Sequence, residues 1–301
     1  MGVTILEVSN LEYWGNRVRL RKPFSFALEA GDIGVVISQN LSCCSNLLRS
    51  VIGLPPSRSV SICGYQVSSS MARHLFGFVS GCSELYDDLT VWQFLNLFVD
   101  IYSVDLNYRP YAIYEALELT RLVPFKDTPI EKITDLNVRK RICLARALVH
   151  SPRLLVVENI FQGSDFRSWQ LIADIVNDAR NTGKAVLVSA ENLLHINTFY
   201  SQLFLIGEDD VILSGKYPDV VKELAQYQLI QIQVLDEGVD ALLSCLEQAG
   251  NVFNLLQKED DLGVFRFFFK GTTSELQALT AKLSSQIPII SCISCNNFFG
   301  R

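Results

Sequence analysis

Residues 32–52 read DIGVVISQNLSCCSNLLRSVI, and this stretch decides the fold. Its first part, residues 32–37, is a continuous apolar run, which predicts a strand buried on both faces of a sheet. After a polar loop, residues 45–52 have helical spacing, and the pattern stops at Gly53. A strand, a loop and a helix in this order often hold phosphate groups at the helix N-terminus.

The chain around this unit alternates between strands and helices. The residues before it alternate like two antiparallel strands. Later apolar runs predict buried strands, and helical spacing fills the segments between them. The strands are residues 153–157, 184–189 and 203–206, and the helical segments are residues 90–148 and 168–180. This order favours an α/β domain with a largely parallel sheet.

The sequence changes character at residues 222–228, where we predict a boundary between a domain at 1–222 and a second domain at 229–301. The second domain has six predicted elements in the order β-α-β-β-α-β. They are residues 229–235, 239–249, 251–256, 264–269, 273–283 and 287–293. This order is the ferredoxin-like α+β pattern.

Composition excludes several classes of protein. Of the 301 residues, 49% are hydrophobic and 19% are charged, so the chain can bury a sizeable core. The formal net charge of -6 argues against nucleic acid as a partner. No apolar run reaches the roughly 18–20 residues that span a bilayer, and the first ten residues lack the pattern of a signal peptide. These features predict a cytoplasmic chain.

Eight cysteines are present, and in such a chain we expect them to be reduced. Cys292 and Cys295 form one isolated CxxC pair. A zinc site needs two further ligands, and the three histidines lie far away in sequence. The pattern therefore indicates two thiols on a terminal strand.

Four further motifs follow the opening unit in order along the chain. They are FGFVSG at 76–81, DLTVWQFL at 88–95, RICLARAL at 141–148 and LLVVEN at 154–159. Residues 3 to about 220 thereby resemble the ATP-binding subunit of ABC transporters, of the exporter type with a small C-terminal domain. The resemblance implies an ABC-type P-loop NTPase-like domain. Its expected parts are a mixed, largely parallel sheet, an antiparallel β-subdomain and a helical subdomain at about residues 85–150.

The resemblance places the family's phosphate loop, G-x-x-x-x-G-K-[ST], at residues 38–45, which we call the phosphate-loop segment. Ser38 and Cys43 stand at the glycine positions, and Cys44 stands at the lysine position. A neutral thiol cannot supply the charge of the lysine, and side chains at glycine positions restrict the loop. Ser45 keeps the residue type that contacts Mg²⁺.

The remaining ATP-site positions implied by the resemblance lie on three segments. They are Tyr13 and Trp14 near the N-terminus, Asn40 within the phosphate-loop segment and Asn46 directly after it, and Gly81, which replaces a glutamine. Either aromatic residue stacks on the base or packs against the β-subdomain.

The signature motif, which in the family contacts the γ-phosphate held by the opposite subunit, falls at Asp135, Leu136, Asn137 and Val138. A carboxylate at Asp135 repels phosphate. The basic residues 139–141 follow within one helical turn, and we interpret them as a solvated face.

The catalytic positions differ as well. Glu158 keeps a carboxylate for Mg²⁺, whereas Asn159 replaces the general-base glutamate and Glu191 replaces the switch histidine. An amide cannot take up a proton at neutral pH. Gly163 and Asp165 match the family's loop that contacts a second subunit.

These departures predict a catalytically degenerate subunit, a pseudo-ATPase that acts as a structural or regulatory partner of a membrane exporter. ATP and Mg²⁺ are possible but doubtful cofactors. The implied partners are a transmembrane permease and a second ATP-binding subunit, identical or different, so the chain is expected at the inner face of the cell membrane, held only through the permease. The alternatives are a divergent but active ATPase subunit and a soluble binding module outside transport.

Overall fold

The computed structural model describes residues 2–14, 18–38, 40–80, 85–190, 200–224, 226–258 and 261–295. The chain divides into two compact units. The first ends at Val211, and the second begins at Ile212. The domain limits given above, 1–222 and 229–301, remain a prediction.

Five strands of the first unit form a parallel sheet in the order β9-β3-β8-β7-β6. Their bounds are β3 (Ile33–Ile37), β6 (Phe76–Ser80), β7 (Leu154–Glu158), β8 (Ala185–Ala190) and β9 (Gln202–Ile206). Every residue of β3, β7 and β8 is buried, as the apolar runs predict. Because neighbouring parallel strands end at one edge of a sheet, the last residues of β3, β7 and β8 lie close together there.

A second, antiparallel sheet of the first unit has the order β2-β1-β4-β5. Its strands are β1 (Thr4–Trp14), β2 (Val18–Glu29), β4 (Val60–Ile62) and β5 (Tyr65–Gln66). The helix α1 (Leu41–Val51) shares one hydrophobic core with strands of both sheets, through Cys44, Leu47 and Leu48. The short helix α2 (Ser70–Arg73) precedes β6.

Three helices form a separate core within the first unit. They are α3 (Val91–Ile101), α4 (Arg109–Leu119) and α5 (Leu136–Leu148). Phe94, Ile113 and Ile142 are fully buried in this core. Thr90 begins α3 with a capping box to Gln93, which satisfies two donors at the helix start. The helix α6 (Phe166–Asn181) lies between β7 and β8 in the chain.

The second unit contains an antiparallel sheet in the order β12-β13-β11-β14. Its elements are β11 (Tyr227–Val234), α8 (Val239–Glu247), β12 (Val252–Lys258), β13 (Asp261–Lys270), α9 (Thr273–Gln286) and β14 (Ile289–Cys295). Buried residues of both helices and of the sheet share one core. This confirms the predicted ferredoxin-like order. The strand β10 (Val211–Lys216) and the helix α7 (Tyr217–Leu224) were not predicted from the sequence.

None of the helices in the described parts of the chain has both the length and the apolar character needed to cross a membrane.

Candidate functional site

The connection between β3 and α1 is short. The helix begins at Leu41, four residues before the predicted start at Ser45, so the helix includes five of the eight residues of the phosphate-loop segment. Ser38 is 3% exposed, and its Oγ accepts a hydrogen bond from the backbone N–H of Asn40 at 3.2 Å. The described part of the connection is therefore a tight turn held by a buried hydroxyl.

Asn40 caps the N-terminus of α1. Its side-chain Oδ1 accepts from the N–H of Ser42 at 3.0 Å, and its carbonyl accepts from the N–H of Cys43 at 3.0 Å. The first N–H groups of a helix have no partner within the helix, and asparagine is among the best residues for satisfying them. Two donors that could bind an anion are thus already bonded to the chain itself.

Cys44, at the lysine position, is fully buried. Its Sγ lies 3.8 Å from the carbonyl oxygen of Val36, so the thiol points back toward β3. Burial raises the pKa of the Cys44 thiol to about 12, and electrostatic interactions with Cys43 and Glu158 add to this effect. Burial likewise raises the pKa of Cys43 to about 11. Both thiols are neutral at pH 7.

Ser45 and Asn46 follow on α1, and both are half-buried. Ser45 thus lies one turn into the helix, at the position the resemblance gives to the Mg²⁺ contact.

Glu158 ends β7 and is 7% exposed. Its Oε2 atom has no hydrogen-bond partner among the described residues. A buried carboxylate oxygen without a partner is costly, which makes this atom the best candidate for contact with a cation.

Asn159 adopts a left-handed backbone conformation, with φ of 49°. Its N–H donates to Ser189 Oγ at 2.9 Å, and the Ser189 hydroxyl donates to Asn159 Oδ1 at 3.1 Å. Ser189 is fully buried on β8. The amide oxygen at the general-base position is therefore engaged with a neighbouring strand.

The signature positions begin α5. Asp135 is the N-cap residue, and its Oδ1 accepts from the N–H of Asn137 at 2.8 Å. Leu136 is 62% exposed, whereas Val138 is buried in the helical core. The Asp135 carboxylate therefore binds its own helix, and an apolar side chain stands beside it at the surface.

The interpretation of residues 139–141 as a solvated face is wrong. Lys140 and Arg141 are buried, and Arg139 is paired with Asp87 at 2.9 Å. Arg141 donates to the carbonyls of Thr120 and Arg121. Burial lowers the pKa of Arg141, with a smaller opposing effect from Asp135. Helical spacing alone did not show that buried Lys140 and Arg141 donate to backbone carbonyl oxygens of other segments.

Residues 159–165, which we call the 159–165 loop, connect β7 with α6. Gly163 has φ of 67°. Asp165 is exposed and caps α6, with Oδ1 accepting from the N–H of Ser168 at 2.9 Å. This bond lowers the pKa of the Asp165 carboxyl, so it is ionised at pH 7.

Several predicted positions lie outside what the structure describes. They are Gly81, Glu191 and the side chains of Tyr13 and Trp14. Of the others, Ser38, Glu158 and Asn159 lie at the edge of the sheet where β3, β7 and β8 end.

The described residues fit a magnesium ion in part and a triphosphate poorly. Glu158 offers the unpartnered oxygen that a hard cation prefers. However, within the described ranges no group of three His, Cys, Asp or Glu side chains could hold a metal ion. Phosphates would meet a capped helix and a neutral, buried thiol where the family has a lysine.

The parallel sheet, the antiparallel sheet, the three-helix core and the strand–turn–helix unit together define the fold of the ATP-binding subunits of ABC transporters. Two solved structures share it. The chain matches cbiO1 from Clostridium perfringens, part of the ABC transporter complex cbiONQ, with a TM-score of 0.65 and 20% identity, over 73% of this chain and 91% of that one. It matches the ADP conformation of the ATP-binding cassette MJ1267 with a TM-score of 0.61 and 18% identity, over 73% and 94%.

Sequence relatives point the same way. The chain is 23% identical over 265 residues to the linearmycin resistance ATP-binding protein LnrL of Bacillus subtilis, covering 86% of this chain and 84% of that protein. It is 26% identical over 197 residues to the manganese transport system ATP-binding protein MntA of Synechocystis, covering 63% and 75%. No protein-family model matches the chain. The predicted resemblance to ABC transporter ATP-binding subunits and the predicted fold class are confirmed.

Proposed function

We propose that this chain is an ATP-binding-type subunit of an ABC transporter that has lost catalysis and serves as a structural or regulatory partner in a membrane exporter. Its partners are a transmembrane permease and a second ATP-binding subunit. It lies at the inner face of the membrane and contacts the membrane only through the permease.

The observation that carries this proposal is the state of Cys44. At the position where the family has a lysine, the chain has a thiol that is fully buried and bonded toward β3. In phosphoryl transfer the lysine stabilises charge on the β- and γ-phosphates. A neutral thiol facing the core supplies none of that stabilisation, and loss of such a charge lowers rates by orders of magnitude.

The general-base position adds a second deficit. Asn159 has no carboxylate, and its amide oxygen accepts from Ser189. The amide is therefore not available as a proton acceptor for water. Because the effects of residues that act in one catalytic unit are not additive, the two losses together cost less than the product of their separate effects.

A divergent but active ATPase subunit is the second candidate, and one observation favours it. Glu158 Oε2 is buried without a partner among the described residues, and Ser45 keeps its residue type. Together they retain two of the groups that would hold Mg²⁺ when bound to nucleotide.

The experiment is equilibrium binding of ATP to the purified full-length chain by calorimetry, with and without Mg²⁺, together with phosphate release. We expect no binding up to millimolar ATP and no turnover. Glu158→Gln is the matched control, because it removes the carboxylate without changing the size of the side chain. Micromolar binding, or turnover that Glu158→Gln abolishes, contradicts the proposal and supports the active ATPase.

A further inference from the structure

Lys140 joins two surface segments of the first unit. Its ammonium donates to Ser164 Oγ at 2.8 Å and to the carbonyl oxygen of Gln162. Ser164 in turn donates to Asn137 Oδ1 at 3.1 Å. The start of α5 and the 159–165 loop are thereby connected through side chains of one chain.

The burial of Lys140 makes this connection specific. The residue is 7% exposed, and a lysine is rarely buried unless its ammonium is well bonded. A charged donor makes a stronger hydrogen bond than a neutral one. The loop itself has little regular structure to hold it. The amides of Gln162 and Ser164 bond within the loop at 3.2 Å each, to Asn159 and Phe161.

The segments that Lys140 joins include the positions that face a second subunit in the resembling family. Leu136 is 62% exposed, and Gln162, Gly163 and Asp165 are also exposed. We infer that Lys140 is a positioning residue that holds the 159–165 loop against α5, so that the surface for a second ATP-binding-type subunit is assembled without nucleotide. The identity of that partner rests on the proposed function. The contacts of Lys140 with Gln162 and Ser164, which we call the clamp, do not.

The clamp has a physical consequence for regulation. A surface ordered by bound nucleotide becomes available only when nucleotide is present. A surface ordered by Lys140 is already in its binding conformation, which reduces the ordering cost of association. The chain therefore presents the same surface to its partner with or without ATP.

The test is amide hydrogen exchange of the full-length chain, with the peptide covering residues 159–165 as the reporter. Lys140→Met removes the ammonium and keeps an apolar side chain of similar length. We expect exchange at Gln162 and Ser164 to become at least about tenfold faster, the size expected when a hydrogen bond from a charged group is lost. Lys132→Met, at an exposed lysine of the same unit, is the control and leaves this peptide unchanged.

Two further variants separate positioning from general stability. Ser164→Ala removes the shared hydroxyl, and we expect the effects of Ser164→Ala and Lys140→Met on exchange to be less than additive in the double variant, because both substitutions act on one network. Lys140→Arg retains a cationic donor, and we expect it to restore part of the protection. Peptides of β11 and β13 keep their wild-type exchange in every variant.

The clamp is overturned by equal exchange in Lys140→Met and Lys132→Met, or by faster exchange spread evenly over both units. It is also overturned if millimolar Mg-ATP slows exchange of the wild-type loop about tenfold, since nucleotide would then order the surface. The two ideas can fail separately. If the chain binds ATP tightly, and Lys140→Met still speeds exchange of the 159–165 loop when no ATP is present, the proposed function is contradicted and the clamp is supported.

Discussion

Asn40→Ala tests the interpretation of the phosphate-loop segment most directly. The substitution removes the side-chain oxygen that accepts from the N–H of Ser42 at 3.0 Å. It leaves the backbone bond from the N–H of Cys43 to the carbonyl of Asn40. One of the two described caps is therefore lost, and α1 remains free to form.

The expected cost follows from the exposure of the site. Ser42 is exposed, so water can replace the lost oxygen, and the cost stays near the typical value for a cap of about 1 kcal/mol. In a chain of this size such a loss lowers Tm by about 2–4 °C. Asn40→Asp and Asn40→Ser keep an acceptor and should differ from the wild type by less than half of this.

Urea unfolding of the three variants, followed by circular dichroism with and without Mg-ATP, measures both effects. A ligand present at 100 times its Kd stabilises a protein by about 2.7 kcal/mol, which exceeds the effect of the cap. We expect no shift with Mg-ATP in any variant. A wild-type shift of that size, or Asn40→Ala as stable as the wild type, refutes the reasoning that the helix start is occupied by the chain's own residue.

Three further predictions concern the surroundings of the site. Ser189→Ala should lower the free energy of unfolding by about 1–3 kcal/mol, because it leaves the Asn159 N–H without its 2.9 Å partner. Urea unfolding measures this loss, with Ser42→Ala at an exposed serine as the control. An equal loss in the two variants would contradict the prediction. Burial lowers the pKa of His150 from 6.5 to about 4. As the pH falls from 6.5 toward 4, the unfolded chain therefore takes up a proton on this ring before the folded chain does. The contribution of His150 to the free energy of unfolding is fully present above pH 6.5 and is lost over this range. The decline amounts to about 3 kcal/mol, and His150→Gln should flatten it in unfolding curves across this range; an unchanged slope would count against the burial of the ring. Gly77→Ala should lower the free energy of unfolding by about 3 kcal/mol or more, because the added Cβ would lie 1.9 Å from the carbonyl oxygen of Ala147. A Cβ at Gly250 would meet no atom within 4 Å, so Gly250→Ala is the control in thermal unfolding.

The strands of the parallel sheet could be predicted from the sequence because their patterns are local. β3 and β7 are buried over their whole length. Every residue of β3 and the first four residues of β7 are apolar, and Glu158 follows at the end of β7. The order of elements in the second unit was predictable for the same reason. By contrast, β10 mixes buried, half-buried and exposed residues without alternation, and α7 has only eight residues, so neither gave a clear periodic signal.

The contacts of the site could be predicted only in part. The residue types at 44, 158 and 159 were evident from the aligned motifs, but their bonding was not. The burial of Lys140 depends on acceptors at Gln162 and Ser164, more than twenty residues away in the chain. A periodic pattern assigns a cation to the solvent unless such distant acceptors are known.

The early start of α1 gives the substitutions in the phosphate-loop segment a common cause. Glycine at positions 38 and 43 would favour an extended loop, because it visits conformations that other residues avoid. Ser38 and Cys43 do not share this freedom, and residues from 41 onward adopt the helix instead. A helix that begins earlier needs a new cap, which Asn40 supplies, and it turns Cys44 toward Val36. We therefore expect that Cys44→Lys alone does not restore a phosphate site. The substitution adds a positive charge, but Asn40 still occupies the first N–H groups of α1, which a phosphate would need.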